Sequence, residues 1–134
     1  MIGGGQFDAI SEPTPLEVKD SNGSEVKFKD VSMGESLCCA VDIDGFGWMW
    51  GGTLLSPEKK EKLNDLKCVA AGSHHLCFIS NEGKLFTMGS NWNGQLGVAG
   101  STVQSQDIHE VEIPNKVIHA ACGSKFTVVL TKNE

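Results

Sequence analysis

The residues best equipped for chemistry are five cysteines and four histidines, and their spacing decides what they could do. His74, His75 and Cys77 stand together as HHLC, with Cys68 a few positions before them. Imidazole and thiolate suit a zinc-like ion, but zinc sites draw paired ligands from both sides of a loop, and the second pair is missing here. No metal is therefore expected. Cys38 and Cys39 are neighbours, a separation that rarely allows an unstrained disulfide, and no C-x-x-C occurs. Ser73-His74 beside an unplaced Asp is not a triad without geometry, and there is no G-x-S-x-G. GSNWNGQLG, from Gly89 to Gly97, is glycine-spaced but lacks the Lys and Ser/Thr that hold phosphate and Mg²⁺ in a P-loop. The expectation is no catalytic residue and no cofactor.

Composition narrows the partners. The chain of 134 residues has a net charge of −6, and its 11 basic residues are all lysines. Nucleic-acid surfaces need clustered cations that release counterions, and without arginine there is no bidentate fork for phosphate or guanine. Neither nucleic acid nor membrane is expected as a partner, since no apolar run approaches 18 residues. The first residues, MIGGGQFDAISEP, lack the basic and apolar regions of a signal peptide, so a cytoplasmic or nuclear location with reduced thiols is the expectation.

The elements that would position these groups are repeats. VSMGESLCCAVDIDGFGWMWGG, from Val31, aligns without a gap on VAAGSHHLCFISNEGKLFTMGS, from Val69. Gly34 falls on Gly72, Val41 on Ile79, Asp44-Gly45 on Glu82-Gly83, Trp48 on Phe86, Trp50 on Met88 and Gly51 on Gly89. A third copy places Gly123 on the same glycine, Phe126 on His75 and Leu130 on Ile79. The heads lie 38 and 51 positions apart, the period of a propeller or solenoid. Near the N-terminus, Gly5-Gln6 in GGGQFD echoes Gly94-Gln95, as the tail of a repeat whose head is absent. The reading divides the chain into a repeat tail and connection (1–30), two repeats (31–68 and 69–119) and a repeat head (120–134).

Within a copy the period is two. Leu76 and Phe78 alternate with Cys77 and Ile79, and Glu82-Gly83 and Asp44-Gly45 are hairpin turn pairs. Both faces of each hairpin are apolar, which predicts a sheet covered on two sides. One segment predicts a short surface helix or charged loop: LSPEKKEKLNDLK, Leu55 to Lys67, with Ser56 as N-cap, Pro57 at the first position, a Glu58/Lys62 pair and Leu63 and Leu66 on one side. The acidic residues Glu12, Glu17, Asp20, Asp107, Glu110 and Glu112 are read as solvated charges in connecting segments.

This pattern resembles the regulator of chromosome condensation repeats, which build seven-bladed β-propellers. Gly72, His75, Gly83, Gly89, Asn91, Gly94, Gln95, Leu96 and Gly97 carry the resemblance in one copy. Gly34, Asp44, Gly45, Trp50 and Gly51 carry it in the other, where Leu37 replaces the His and the GQLG phrase is missing. In the third copy it rests on Gly123 and Thr131. The resemblance implies an all-β fold of propeller blades, about two complete four-stranded repeats with two partial ones, incomplete as a monomer. Seven blades need roughly 350 residues.

The resemblance implies a protein-interaction module, with guanine-nucleotide exchange on a Ran-like small GTPase as the family's activity, which leaves enzyme status open. The alternatives are a structural or targeting propeller fragment of a larger protein, or a self-assembling propeller without exchange activity. Self-association, or further blades from a longer chain, would cover the open faces. Trp92, Asn91 and Asn93, in a rim loop, are the candidate binding residues. His75 is read as hydrogen-bonded between blade strands, and Cys39 and Cys77 as small apolar strand positions, since Val128 shares their place.

Overall fold

Each hairpin closes on its turn pair. Asp42 Oδ1 accepts the amide hydrogens of Asp44 and Phe46 at 3.0 and 2.9 Å, and the chain reverses through Gly45 at φ 91°. Gly83, at φ 87°, does the same in the next copy, where Ser80 Oγ accepts from the Lys84 amide at 3.1 Å. A side chain would be strained at these positive φ values, which is why the turn pairs end in glycine.

The computed structural model describes residues 12–99 and 104–133. Gly5, Gln6 and the rest of GGGQFD lie outside the described residues. Strands β1 (Phe28–Met33), β2 (Leu37–Asp42), β3 (Gly47–Gly51) and β4 (Leu54–Lys60) form one antiparallel sheet in chain order. A second sheet follows with β5 (Leu66–Ala71), β6 (His75–Ser80), β7 (Leu85–Ser90) and β8 (Gln104–Val111). β9 (Val117–Cys122) pairs with β10 (Thr127–Thr131) as the start of a third. The described residues contain no helix. The fold is all-β, two full blades and part of another.

Of the segment from Leu55 to Lys67, read as a short helix or charged loop, no part is helical: its first half is β4 and Leu66 and Lys67 open β5. The register of β4 runs Gly47 opposite Lys60 and Met49 opposite Glu58. The helical preference of EKKEK amounts to about 0.2–0.5 kcal/mol for each i, i+4 pair. Completing the ladder on β3, whose other side β2 already pairs, outweighs it. Pro57 is tolerated because β4 is the blade's outer edge, and the lysines and glutamates guard that edge against further pairing. Leu63 and Leu66 are fully buried, Leu66 as the first residue of β5. Asp107 and Glu110, expected in a connection, lie on β8.

Three apolar layers follow from the alternation. Cys38, Ala40, Trp48 and Trp50 face away from the second blade and are covered by Val18, Val26 and Phe28, with Trp48 Nε1 donating to Asp42 Oδ2 at 2.8 Å. Cys39, Val41 and Met49 meet Val69, Leu76, Phe78 and Met88 between the two full blades. Cys77, Ile79 and Leu85 meet Val117 and Ala120 at the next junction. Phe126, Val128 and Leu130 are exposed on the third sheet.

The blades also hydrogen-bond at their inner strands. Asp30 Oδ2 and Ser32 Oγ, on β1, accept from the amides of Val69 and Ala71 on β5, both at 3.0 Å. The turn carbonyls of Gly45 and Gly83 each accept from the first strand of the following blade, at Leu66 and Val117, both at 2.9 Å. Between these ties the repeat-head glycines come into close approach. A Cβ on Gly34 would strike the Gly72 carbonyl, and one on Gly72 would lie 2.6 Å from both the Gly123 carbonyl oxygen and His75 Nδ1. Gly72→Ala should therefore destabilise the fold by about 2–3 kcal/mol, as overpacking does. Urea denaturation followed by tryptophan fluorescence would measure it, and a midpoint equal to the parent's would refute this account of the glycine.

Candidate functional site

The GQLG phrase is a loop tied to itself. Asn91 Oδ1 accepts the Leu96 amide at 3.0 Å, and Gln95 Oε1 accepts the Asn93 amide at 2.9 Å. Leu96 is fully buried beneath it, its carbonyl held by Thr87 Oγ1 at 2.8 Å. Thr127, on the next sheet, donates its hydroxyl to the Gln95 carbonyl at 2.9 Å. With its ends pinned, the loop presents Trp92, which is 73% exposed, and the exposed Asn93.

Trp92 stands over a groove of about 440 Å³ between the two full blades. Ser36, Leu37, Gly51–Leu54, His74 and Ser90 line its sides, and Met49 and Met88 are part of its lining. The groove exists because the first blade has no GQLG loop: β3 turns into β4 through Gly51 and Gly52. Ser36 Oγ donates to the Ser73 carbonyl at 3.1 Å and sits 3.1 Å from His74 Nδ1, while Glu35 lies 4.0 Å from His74 Nε2. An exposed aromatic ring beside a groove lined by Leu37, Met49, Leu54 and Met88 and by hydrogen-bonding Ser36, His74 and Ser90 is equipped to receive a protein segment. A larger hollow of about 560 Å³ at the opposite rim is lined by Glu82, Lys84, Glu110, Glu112 and Lys116 and carries no aromatic ring.

A second constellation is buried at the junction of the second and third sheets. His75 and Cys77 project from β6 toward Cys122 on β9, with ligand atoms all within 4.8 Å of one another. The two sulfurs share a contact of 3.2 Å, and His75 Nε2 lies 2.9 Å from Thr127 Oγ1. The Cys122 thiol is pulled down to about 5, chiefly by its hydrogen bond with Cys77; the same bond, with burial, pushes Cys77 upward. Burial raises Cys38, Cys39 and Cys68.

The comparisons with known proteins agree with this architecture. A sequence profile described as the regulator of chromosome condensation (RCC1) repeat matches residues 82–130, and a second of the same description matches 66–95. Residues 66–130 carry RCC1-type repeats. It is 30% identical over 160 residues to the mouse regulator of chromosome condensation, covering 92% of this chain and 38% of that protein. To the human probable E3 ubiquitin-protein ligase HERC3 it is 32% identical over 119 residues, 77% of this chain and 11% of the ligase. The fold is shared with Prp20p from Saccharomyces cerevisiae, at a TM-score of 0.79 and 18% identity over 93% of this chain and 35% of that one. Human WBSCR16 superposes with a TM-score of 0.69 and 23% identity, covering 87% and 33% respectively. The chain thus spans between about a tenth and two fifths of these relatives.

Within the RCC1 repeat, Gly94, Gln95 and Gly97 shape the rim loop, Gly45 and Gly83 the turns, Gly51 and Gly89 the strand ends, and Gly34, Gly72 and Gly123 the heads. Of the three binding residues read from the sequence, Trp92 and Asn93 face solvent. Asn91 is buried and braces the loop, so its side chain is not a surface contact. The groove itself was hidden in the sequence; its signal was the missing GQLG phrase after Gly51. The partner that HHLC lacked in the sequence is Cys122, 45 positions beyond Cys77 and on another sheet. Trp48 and Trp50 are buried, so acrylamide should quench only the Trp92 share of the fluorescence. That share should vanish in Trp92→Phe, and undiminished quenching in the variant would show the buried pair to be accessible.

Proposed function

We propose that the chain is a protein-recognition module whose contact surface is the rim carrying Trp92 and Asn93. The observation that carries this reading is Trp92, exposed on a pinned loop over the groove left by the first blade's short β3–β4 turn. Tryptophan gains most from burial in a partner's pocket, and a loop already held by Asn91, Gln95 and Thr127 has little entropy left to lose on binding. The acidic, arginine-free composition favours a protein over a nucleic acid.

The partner class we propose is a small GTPase of the Ran type, met in the nucleus or cytoplasm. Support comes from the similarity to the regulator of chromosome condensation and from Prp20p, whose structure is described with its binding to Gsp1p and histones. Guanine-nucleotide exchange would be a further step on the same surface. Titrating labelled Ran-type GTPase should give saturable binding that Trp92→Ala weakens roughly tenfold or more, as truncating an interface anchor does. Faster release of labelled nucleotide at substoichiometric chain would establish exchange. Binding unaffected by Trp92→Ala would remove the rim from the reading, and no binding would remove the GTPase.

A second reading rests on a different surface. Phe126, Val128 and Leu130 expose an apolar face on the third sheet, on the side away from the second blade. In a propeller such a face is covered by another blade, from a second copy or from a longer chain. Light scattering over a dilution series should show an oligomer that Val128→Asp shifts to a smaller species, if a second copy supplies the cover. A monomer at every concentration would exclude self-assembly.

A further inference from the structure

We propose that His75, Cys77 and Cys122 form a buried three-ligand site for a soft monovalent cation, Cu(I), that staples the second blade to the third. Two thiol sulfurs and a ring nitrogen within 4.8 Å can close on one ion with small side-chain movements. Metal–sulfur bonds of about 2.3 Å in a trigonal site require the sulfurs to part by roughly 0.8 Å from their present 3.2 Å.

The imidazole supplies an independent sign. Thr127 has one hydroxyl proton and gives it to the Gln95 carbonyl at 2.9 Å, so toward His75 the hydroxyl oxygen accepts and Nε2 carries the hydrogen. Nδ1 then bears a bare lone pair. His75 is 0% exposed, and Nδ1 is the buried side-chain polar atom that no group among the described residues satisfies. An uncompensated buried acceptor costs stability, and a cation on the imidazole relieves it either directly or by shifting the ring proton.

The propeller does not require this cluster. At the equivalent junction of the first and second blades the same three positions hold Leu37, Cys39 and Ala71, which pack as part of an apolar layer. The third copy has Phe126 and Val128 where the second has His75 and Cys77. Nitrogen and sulfur donors converge only where β6 meets β9.

The donor set selects the ion. Thiolate and imidazole are soft to borderline donors, and zinc sites are almost always four-coordinate. Thr127 Oγ1, 2.9 Å from His75 Nε2, is committed to Gln95, and His75 and Cys77 are closed to solvent. Cu(I) is content with three ligands. Cys122 is only partly buried and gives the ion its way in. Cu(I) takes the place of the thiol protons, which leave to solvent, and no oxidation state changes when copper is supplied as Cu(I).

The test uses the full chain, reduced and anaerobic, titrated with Cu(I) against a colorimetric Cu(I) chelator. His75→Phe, Cys77→Val and Cys122→Ala are the informative variants, because each installs the residue that a sister repeat carries at that place. The parent should hold one Cu(I) that each variant releases at roughly a hundredfold lower chelator. Cys68→Ala should keep it, and X-ray absorption should show two sulfurs and one nitrogen around copper. Equal retention by parent and variants would overturn the site. So would a four-coordinate zinc complex formed in preference to copper, or a Cys77–Cys122 disulfide as the only product. Circular dichroism of each variant separates loss of the ligand from loss of the fold.

Discussion

The blades can pack at this distance because the head of each repeat has no side chain. At Gly34 the carbonyl of Gly72 occupies the space of a Cβ, and at Gly72 that of Gly123 does the same. The close approach brings Asp30 and Ser32 within reach of the Val69 and Ala71 amides, and the turn carbonyls of Gly45 and Gly83 within reach of the next blade. Apolar layers fill what remains between the sheets. Since hydrophobic burial has no direction of its own, these backbone contacts and buried hydrogen bonds fix the stacking register.

The same constraint explains the residue three places after the head. His75 lies over Gly72 and Phe126 over Gly123, each ring filling the space that the glycine vacates. His75 adds a polar edge that reaches Thr127 on the following sheet, and Thr127 in turn holds Gln95 of the rim loop. A chain of contacts thus runs from the blade's head to the loop that presents Trp92. Side chains at the junction and at the rim of one copy are coupled through one threonine of the next.

Departures from the repeat pattern are where this chain acquires its own features. Loss of the GQLG phrase after Gly51 shortens a turn and opens the groove beneath Trp92. The residues that follow, read as a helix or charged loop, are drawn into β4 because β3 offers an unpaired edge and the charged, proline-containing run can serve as an outer strand. Local helical preference is worth tenths of a kilocalorie per residue and yields to a ladder that only the assembled blade presents.

The sequence by itself determined the blades. Glycine heads, turn pairs and alternating apolar residues such as Leu76, Cys77, Phe78 and Ile79 repeat in one register, and each expresses a local rule of backbone conformation or strand period. It also placed the rim loop and its tryptophan. Only the tertiary structure decided which loop residues face outward, since Asn91 and Asn93 differ in burial through hydrogen bonds to Leu96 and Gln95. Only it joined Cys122 to His75 and Cys77, because contacts between blades connect positions about fifty residues apart and leave no trace in the local pattern. The path of residues 55–67 was likewise settled by a neighbouring strand, which supplies in the folded blade the partner that a lone segment lacks.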